Sequence, residues 1–490
     1  MTKLVVIGID GFDPILVEKW KDKLPNLSQL REKGDQIKYE SIFPYDSVPL
    51  WASIYTGVTP AEHGILGSPI NFLEKDYSSD INVDFVRGKT FWDYSSSNGK
   101  KVCVINPFLA YPPWKVNGIM ASGSVFNTDL PQKVFPSNLN EKFNIPYLGG
   151  VLSYTGYPTK ENLNLFKEKI YEMTSNQADF SLRLLKDNNW DLFFTCFITL
   201  DGLQHFFWRY CSEDDPTYPG ENSYKYVILD IYKKFDEMIG RFKRTSPDST
   251  FIILSDHGFG TRCIKLANVN ELLRKNNLLF SKDKKSGYTE MLKFKIFDLV
   301  HKTNTVNLAL KIAKKIPKIT RNAQKSTNIV NMTNTVAYAA DLTGMNPCGG
   351  INIIKENLMD LDYEDVRTLI IEKLEQWEDS GDKIVKWASR REDLYSGTEI
   401  NEFPDIIFEL KEEYGVNWAI GTPLVINAYT HKAVSGGHRK NAFLLIENLN
   451  GKKLKNNENA NTLDIAPTIL DILNIDYKKY DQLEGISLLE

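Results

Sequence analysis

Ser255-Asp256-His257-Gly258 follows directly on the apolar run Thr250-Phe-Ile-Ile-Leu254. A run this apolar predicts a buried parallel strand, and an open α/β sheet holds its chemistry at the carboxyl ends of such strands. Asp offers a hard anionic oxygen and His a neutral nitrogen, a pair suited to Zn²⁺ or a similar divalent ion. The arrangement recurs twice. Leu4-Val-Val-Ile-Gly-Ile9 ends at Asp10-Gly11, and the apolar run 191–200 ends at Asp201-Gly-Leu-Gln-His205. Asp201 and His205 stand four positions apart, so a helical turn after that strand would aim both at one point. His438, in Gly436-Gly-His-Arg-Lys440, is the candidate final ligand. Its two glycines predict a loop whose backbone can approach a ligand closely, and Arg439 could reach an anionic oxygen.

Ser47 belongs to Tyr45-Asp-Ser-Val-Pro-Leu50. Pro49 fits the first turn of a helix, which puts Ser47 just ahead of it. Ser47 is then either a plain N-cap or a nucleophile set where free N–H groups and the positive dipole end favour a phosphate. His63, in the turn Thr59-Pro-Ala-Glu-His-Gly64, reads as a structural histidine, and the aromatic tail Phe206-Phe-Trp-Arg-Tyr210 as core packing. Collected, Asp10, Ser47, Asp201, His205, Asp256, His257 and His438 divide into two coordination sets rich in carboxylate and imidazole. Two ions about 4 Å apart can clamp the attacking and leaving oxygens of an in-line displacement at phosphorus. One of them would ionise the serine hydroxyl, otherwise a weak nucleophile at neutral pH.

The elements that must position these groups alternate. Apolar runs at 3–9, 100–105, 191–200 and 250–254 are separated by helical patterns at 25–34, 160–187 and 223–244. That order predicts a doubly wound, mostly parallel sheet, α/β in class, whose carboxyl ends lie along one edge. Beyond residue 261 the character changes. Residues 292–325 carry nine Lys or Arg against the single acid Asp298, with apolar residues interleaved. Such a segment can form a solvated helical face or rest on an anionic membrane surface. Residues 335–410 read as a mixed lobe. The expected organisation is a catalytic core of residues 1–261 and 431–490, with an inserted α+β cap over 262–430.

A chain of 490 residues with 42% hydrophobic content can bury a large core. The formal charge of −4 excludes the global basic field that a nucleic-acid polymer would need. The five cysteines show no C-x-x-C spacing and read as reduced thiols. No secretory leader is visible and no apolar run reaches about 18 residues, so the cytoplasm is the expected compartment.

In this order the motifs resemble the alkaline phosphatase superfamily, specifically its type I phosphodiesterase/nucleotide pyrophosphatase branch. The resemblance runs through Ile7-Gly-Ile-Asp-Gly11, Ser47-Val-Pro-Leu-Trp-Ala-Ser53, Tyr55-Thr-Gly57, Glu62-His-Gly-Ile65, Asp201-Gly-Leu-Gln-His205, Ser255-Asp-His-Gly258, Gly437-His438 and Asp464-Ile-Ala-Pro-Thr-Ile-Leu470. It implies one metal site of Asp201, His205 and His438, and another of Asp10, Ser47, Asp256 and His257, with Ser47 attacking. It further implies two divalent ions, usually zinc with manganese as the alternative, and a covalent phospho-enzyme. Leu50 stands where the family's nucleotide pyrophosphatases carry Asn, and Trp51 stands where sulfatases carry Arg. Asp46-Ser47 is similar to the Asp-Ser of the alkaline phosphatases themselves. The expected activity is cleavage of phosphodiester or pyrophosphate bonds in a small-molecule phosphate ester. A phosphomonoesterase or phosphotransferase on the same scaffold, or a non-catalytic protein that binds an anionic ligand, are the alternatives. Peripheral membrane contact through 292–325 is a further expectation.

Overall fold

Every residue of Leu4–Ile9 is buried, as an apolar strand covered on both faces requires. The computed structural model describes residues 3–67, 83–126, 130–139, 143–282, 295, 330–455 and 459–490. Within them the central sheet has eight strands: β1 (Leu4–Ile9), β2 (Gly34–Gln36), β3 (Val102–Ile105), β4 (Gly118–Ser122), β5 (Lys133–Phe135), β6 (Leu192–Phe197), β7 (Thr250–Leu254) and β8 (Leu444–Glu447). Their spatial order is β2-β8-β7-β1-β6-β3-β4-β5. The five inner strands from β7 to β4 are parallel, and the edges are antiparallel.

Adjacent residues of β6 show how the sheet is covered. Phe193 and Phe197 meet Phe242 and Phe235 of the helix Val227–Thr245. Phe194 instead meets Tyr55, Phe91 and Trp92 of the helices Ser47–Thr56 and Phe91–Ser97. Neighbouring strand residues point to opposite faces, so helices cover both. This is the mixed α/β, mostly parallel architecture that the alternation predicts.

A second lobe has its own apolar cluster, including Leu273, Ile351, Ile370, Ile406 and Phe408. Its antiparallel sheet runs in the order Ala337–Ala340, Cys348–Ile353, Ile406–Leu410, Val385–Arg390. The helix Tyr363–Glu375 begins at Asp362, whose carboxylate accepts the Glu364 and Asp365 amides at 2.8 and 3.1 Å. No described helix is long and apolar enough to cross a membrane. The basic segment 292–325 lies outside the described residues apart from Lys295.

Several sequence expectations change in detail. β6 stops at Phe197 and a helix begins at Thr199, so Asp201 sits in a first helical turn and not on a strand end. Thr59–Gly64 contains one helical turn, Pro60–His63. Gly436–Arg439 is not a loop but a strand paired antiparallel with Gly258–Thr261, His438 opposite Phe259. Its glycine is steric: a Cβ on Gly436 would lie 2.4 Å from Phe259 and 2.5 Å from the Gln204 carbonyl oxygen.

Candidate metal centre and nucleophile

β1 and β7 are parallel neighbours, so Asp10 and the Asp256-His257 pair emerge side by side from their carboxyl ends. In the first cluster His257 Nε2 lies 3.5 Å from Asp10 Oδ1 and 3.4 Å from Asp256 Oδ2. Ser47 Oγ lies 3.2 Å from Asp10 Oδ1 and 3.1 Å from His257 Nε2. Each carboxylate commits one oxygen to a fixed donor and turns the other inward. Trp51 Nε1 donates to Asp10 Oδ2 at 3.0 Å, and the Gly11 amide donates to Asp256 Oδ1 at 3.2 Å.

The second cluster forms on the helix Thr199–Cys211, where the four-residue spacing brings Asp201 Oδ1 to 3.2 Å from His205 Nε2. The paired strand delivers His438, with Nε2 3.3 Å from the same oxygen and 3.1 Å from His205 Nε2. The His257 and His438 rings stack with centroids 3.8 Å apart, so the two clusters adjoin. The structure therefore brings together Asp10, Ser47, Asp201, His205, Asp256, His257 and His438.

The donor chemistry tests whether metal ions fit. His205 Nδ1 meets the Gly436 carbonyl at 2.8 Å, His438 Nδ1 the Tyr45 carbonyl at 2.9 Å, and His257 Nδ1 the Gly258 carbonyl at 3.0 Å. A carbonyl only accepts, so each Nδ1 carries a proton and each imidazole, in its neutral form, turns its Nε2 lone pair into a cluster. In the second cluster two lone pairs and a carboxylate oxygen then converge with no donor among them. Asp201 Oδ1 and Asp256 Oδ2 are buried and accept no hydrogen bond. Three acceptors around one point call for a cation. The residues fit a divalent ion at each cluster.

Without an ion, protons carry that load. Burial and the neighbouring Asp256 and Asp201 charges push the Asp10 carboxyl well up. Burial, then Asp201, raises Asp256 to about 7. Burial opposes the Asp201 charge, but His205 and His438 outweigh it and hold that carboxyl well below the usual range. Burial likewise opposes a charged His438, yet Asp201 raises it to about 9. His257 is held well below its ordinary value by burial and by His438.

Ser47 is the first residue of its helix, and Asp46 is the cap, accepting from Val48 at 3.1 Å. The expected free donors at this helix end are mostly spent. The Val48 amide goes to Asp46, Pro49 has none, and the Leu50 amide bonds the Asp46 carbonyl. Arg439 is equally committed: it pairs with Glu412 at 2.9 Å and donates to the His438 carbonyl at 2.9 Å. His63 is structural, buried between Ser53 Oγ and the Ile65 amide, and burial lowers it to about 3.

Leu50 and Trp51 are fully buried. Trp51 fits because residue 8 is glycine; a Cβ there would lie 2.7 Å from the indole. Sequence reasoning missed Trp51 as the residue that orients Asp10. It also missed Gln204, whose amide donates to the Gly11 carbonyl at 2.8 Å, and Asp13, whose carboxylate accepts the Phe259 amide at 3.0 Å. The one signal was adjacency, since Trp51 and Gln204 lie within the motifs of Ser47 and Asp201, and Asp13 stands three residues after Asp10.

A family model for type I phosphodiesterase/nucleotide pyrophosphatase matches residues 4–437. Among curated proteins, venom phosphodiesterase 2 of Crotalus adamanteus is 26% identical over 90 residues, 18% of this chain and 11% of the venom protein. Ectonucleotide pyrophosphatase/phosphodiesterase family member 3 of Rattus norvegicus is 27% identical over 105 residues, 20% of this chain and 12% of the rat protein. The matched stretch thus spans about a tenth of the length of these relatives. Two solved structures share the fold: phosphonoacetate hydrolase from Sinorhizobium meliloti 1021 in complex with phosphonoacetate, and murine ectonucleotide pyrophosphatase/phosphodiesterase 5 in complex with AMP. The first has a TM-score of 0.55 at 13% identity, covering 96% of this chain and 95% of the hydrolase. The second has a TM-score of 0.52 at 12% identity, covering 100% of both chains. With a family match that spans most of its length, this chain belongs to the type I phosphodiesterase/nucleotide pyrophosphatase family.

Proposed function

We propose that the protein hydrolyses phosphodiester or pyrophosphate bonds in a small-molecule substrate, with Ser47 as nucleophile. Asp201, His205 and His438 would hold one divalent ion, and Asp10, Ser47, Asp256 and His257 the other; zinc is the proposed metal and manganese the alternative. The observation that carries this reading is the pair of buried carboxylate oxygens without a donor, Asp201 Oδ1 and Asp256 Oδ2, each facing an imidazole lone pair. The AMP and phosphonoacetate held by the two solved neighbours are small phosphoryl compounds, which supports a small-molecule substrate.

Bound ions supply charge neutralisation and Lewis acidity for displacement at phosphorus. Ser47 Oγ gives up its proton to solvent and bonds to phosphorus as the bond to the departing alkoxide or phosphate oxygen breaks, which leaves a phosphoseryl side chain. The leaving oxygen takes up a proton. Water then attacks the phosphoseryl phosphorus, the bond to Ser47 Oγ breaks, Oγ regains a proton and the phosphate product leaves. Trp51 and the Gly11 amide hold the two carboxylates in register throughout. Residues 262–430 would form the lobe that selects the ester substituents.

The test uses bis-p-nitrophenyl phosphate with zinc-loaded protein. Ser47→Ala is expected to lower kcat by at least about a thousandfold and to abolish phosphoseryl trapping on rapid acid quench. Full turnover by that variant would overturn the role of Ser47. Matched monoesters and diesters, compared by kcat/KM, separate the diesterase from the monoesterase reading.

A further inference from the structure

The loop 41–46 touches both clusters and the nucleophile. Ser41 Oγ donates to the Asp256 carbonyl at 2.6 Å, the Tyr45 carbonyl accepts from His438 Nδ1 at 2.9 Å, and Asp46 caps the helix that starts at Ser47. The second lobe grips this loop. Tyr395 donates its hydroxyl to the Phe43 carbonyl at 2.6 Å, and the Trp387 ring meets Phe43 edge-on at 5.2 Å. Buried in the contact is Glu409, on the strand Ile406–Leu410 and only 4% exposed. It accepts from the Tyr45 hydroxyl at 3.0 Å, Trp387 Nε1 at 2.7 Å and Lys386 Nζ at 2.8 Å.

A buried carboxylate is costly unless it is fully hydrogen-bonded. Two of its three donors lie on its own lobe, and the third is the residue whose carbonyl orients His438. We infer that Glu409 is a positioning residue of the metal centre, which acts through Tyr45 to hold the His438 Nε2 lone pair on target. Partners that orient a ligating imidazole in this way are worth about 10–100-fold in metal affinity. The inference rests on the reading of His438 as a ligand. It also makes the second lobe part of the apparatus that sets the centre.

The experiment measures zinc affinity and stoichiometry of the full chain by competition with a chromogenic chelator, beside thermal melting. Wild type is expected to bind two ions and His438→Ala to lose one of them. Wild type that binds no zinc would overturn the metal-centre reading and this inference with it. Given two ions, Tyr45→Phe, which keeps the carbonyl and the ring, is expected to weaken one site about tenfold and leave the other unchanged. Glu409→Gln, which keeps an acceptor for the Tyr45 hydroxyl, is expected to stay close to wild type, and Glu409→Ala to match Tyr45→Phe. The double variant Tyr45→Phe/Glu409→Ala should be no weaker than either single one. Two tight sites in a folded Tyr45→Phe protein would overturn the inference while the metal-centre reading stands. If Glu409→Ala fails to fold, Tyr45→Phe against Glu409→Gln decides.

Discussion

At the scale of single residues, the centre depends on donors that hold one oxygen of each carboxylate. Trp51 is the sharpest case, since its indole N–H fixes Asp10 Oδ2 in a fully buried setting. Trp51→Phe leaves that oxygen without its donor. Zinc affinity is expected to fall about tenfold, read by chelator competition, and the metal-free protein to lose about 1–3 kcal/mol, read by urea unfolding. Protonation gives a second test. His438 rises to about 9 in the fold from an ordinary 6.5, and Asp256 to about 7 from 3.8. Both raised groups stabilise the fold at low pH and lose that contribution as pH climbs through their folded values. Below about 6.5 the depressed His257 and His63 pull the other way, so the loss is read between about 7 and 9, where the cysteines, all raised from 9.0 by burial, add to it only toward the top. Metal-stripped protein is expected to melt lower at about pH 9 than at about pH 7, and the melting rise caused by zinc to grow over the same interval. A zinc shift that is flat across that interval would contradict the acceptor-rich centre.

At the scale of elements, parallel strands deliver distant residues to one edge. The apolar runs were legible because a strand covered on both faces has no polar positions, and Leu4–Ile9 and Thr250–Leu254 appear almost as expected. The turn from Asp201 to His205 was legible from helical spacing alone. The strand Gly436–Arg439 was not, because glycines suggest a loop while here they leave room for Phe259 and Gln204. Trp51, Gln204 and Asp13 escaped for another reason. They act through hydrogen bonds to residues up to 246 positions away, and no local period records such a partner. Gly8 belongs with them, since its meaning appears only beside the Trp51 ring. Gly8→Ala places a methyl 2.7 Å from that ring. It should destabilise the protein by about 1–3 kcal/mol in denaturant and shift Trp51 fluorescence; unchanged stability would show that the ring has room to move.

At the scale of the whole molecule, a third apolar cluster, with Phe43, Leu342, Phe403 and Ile407 at its centre, joins the second lobe to the loop that precedes Ser47. Binding linkage gives the size of what the ions add. Zinc at about a thousand times its dissociation constant stabilises by about 4 kcal/mol per site, so chelation is expected to lower the melting temperature clearly. His438→Ala should forfeit about half of the zinc-dependent rise, and a full rise in that variant would exclude it as a ligand. The pairing of Gly258–Thr261 with Gly436–Arg439 has a consequence during synthesis. His205 and His438 are 233 positions apart, with the second lobe between them. A ribosome that has released the chain only through Thr261 has delivered every candidate ligand except the last, and the edge of Gly258–Thr261 stands bare. Asp201 and His205 then offer a cation too few donors to keep it. On the proposed metal assignment, capture at that position would wait until the lobe has been translated, a late checkpoint on the fold.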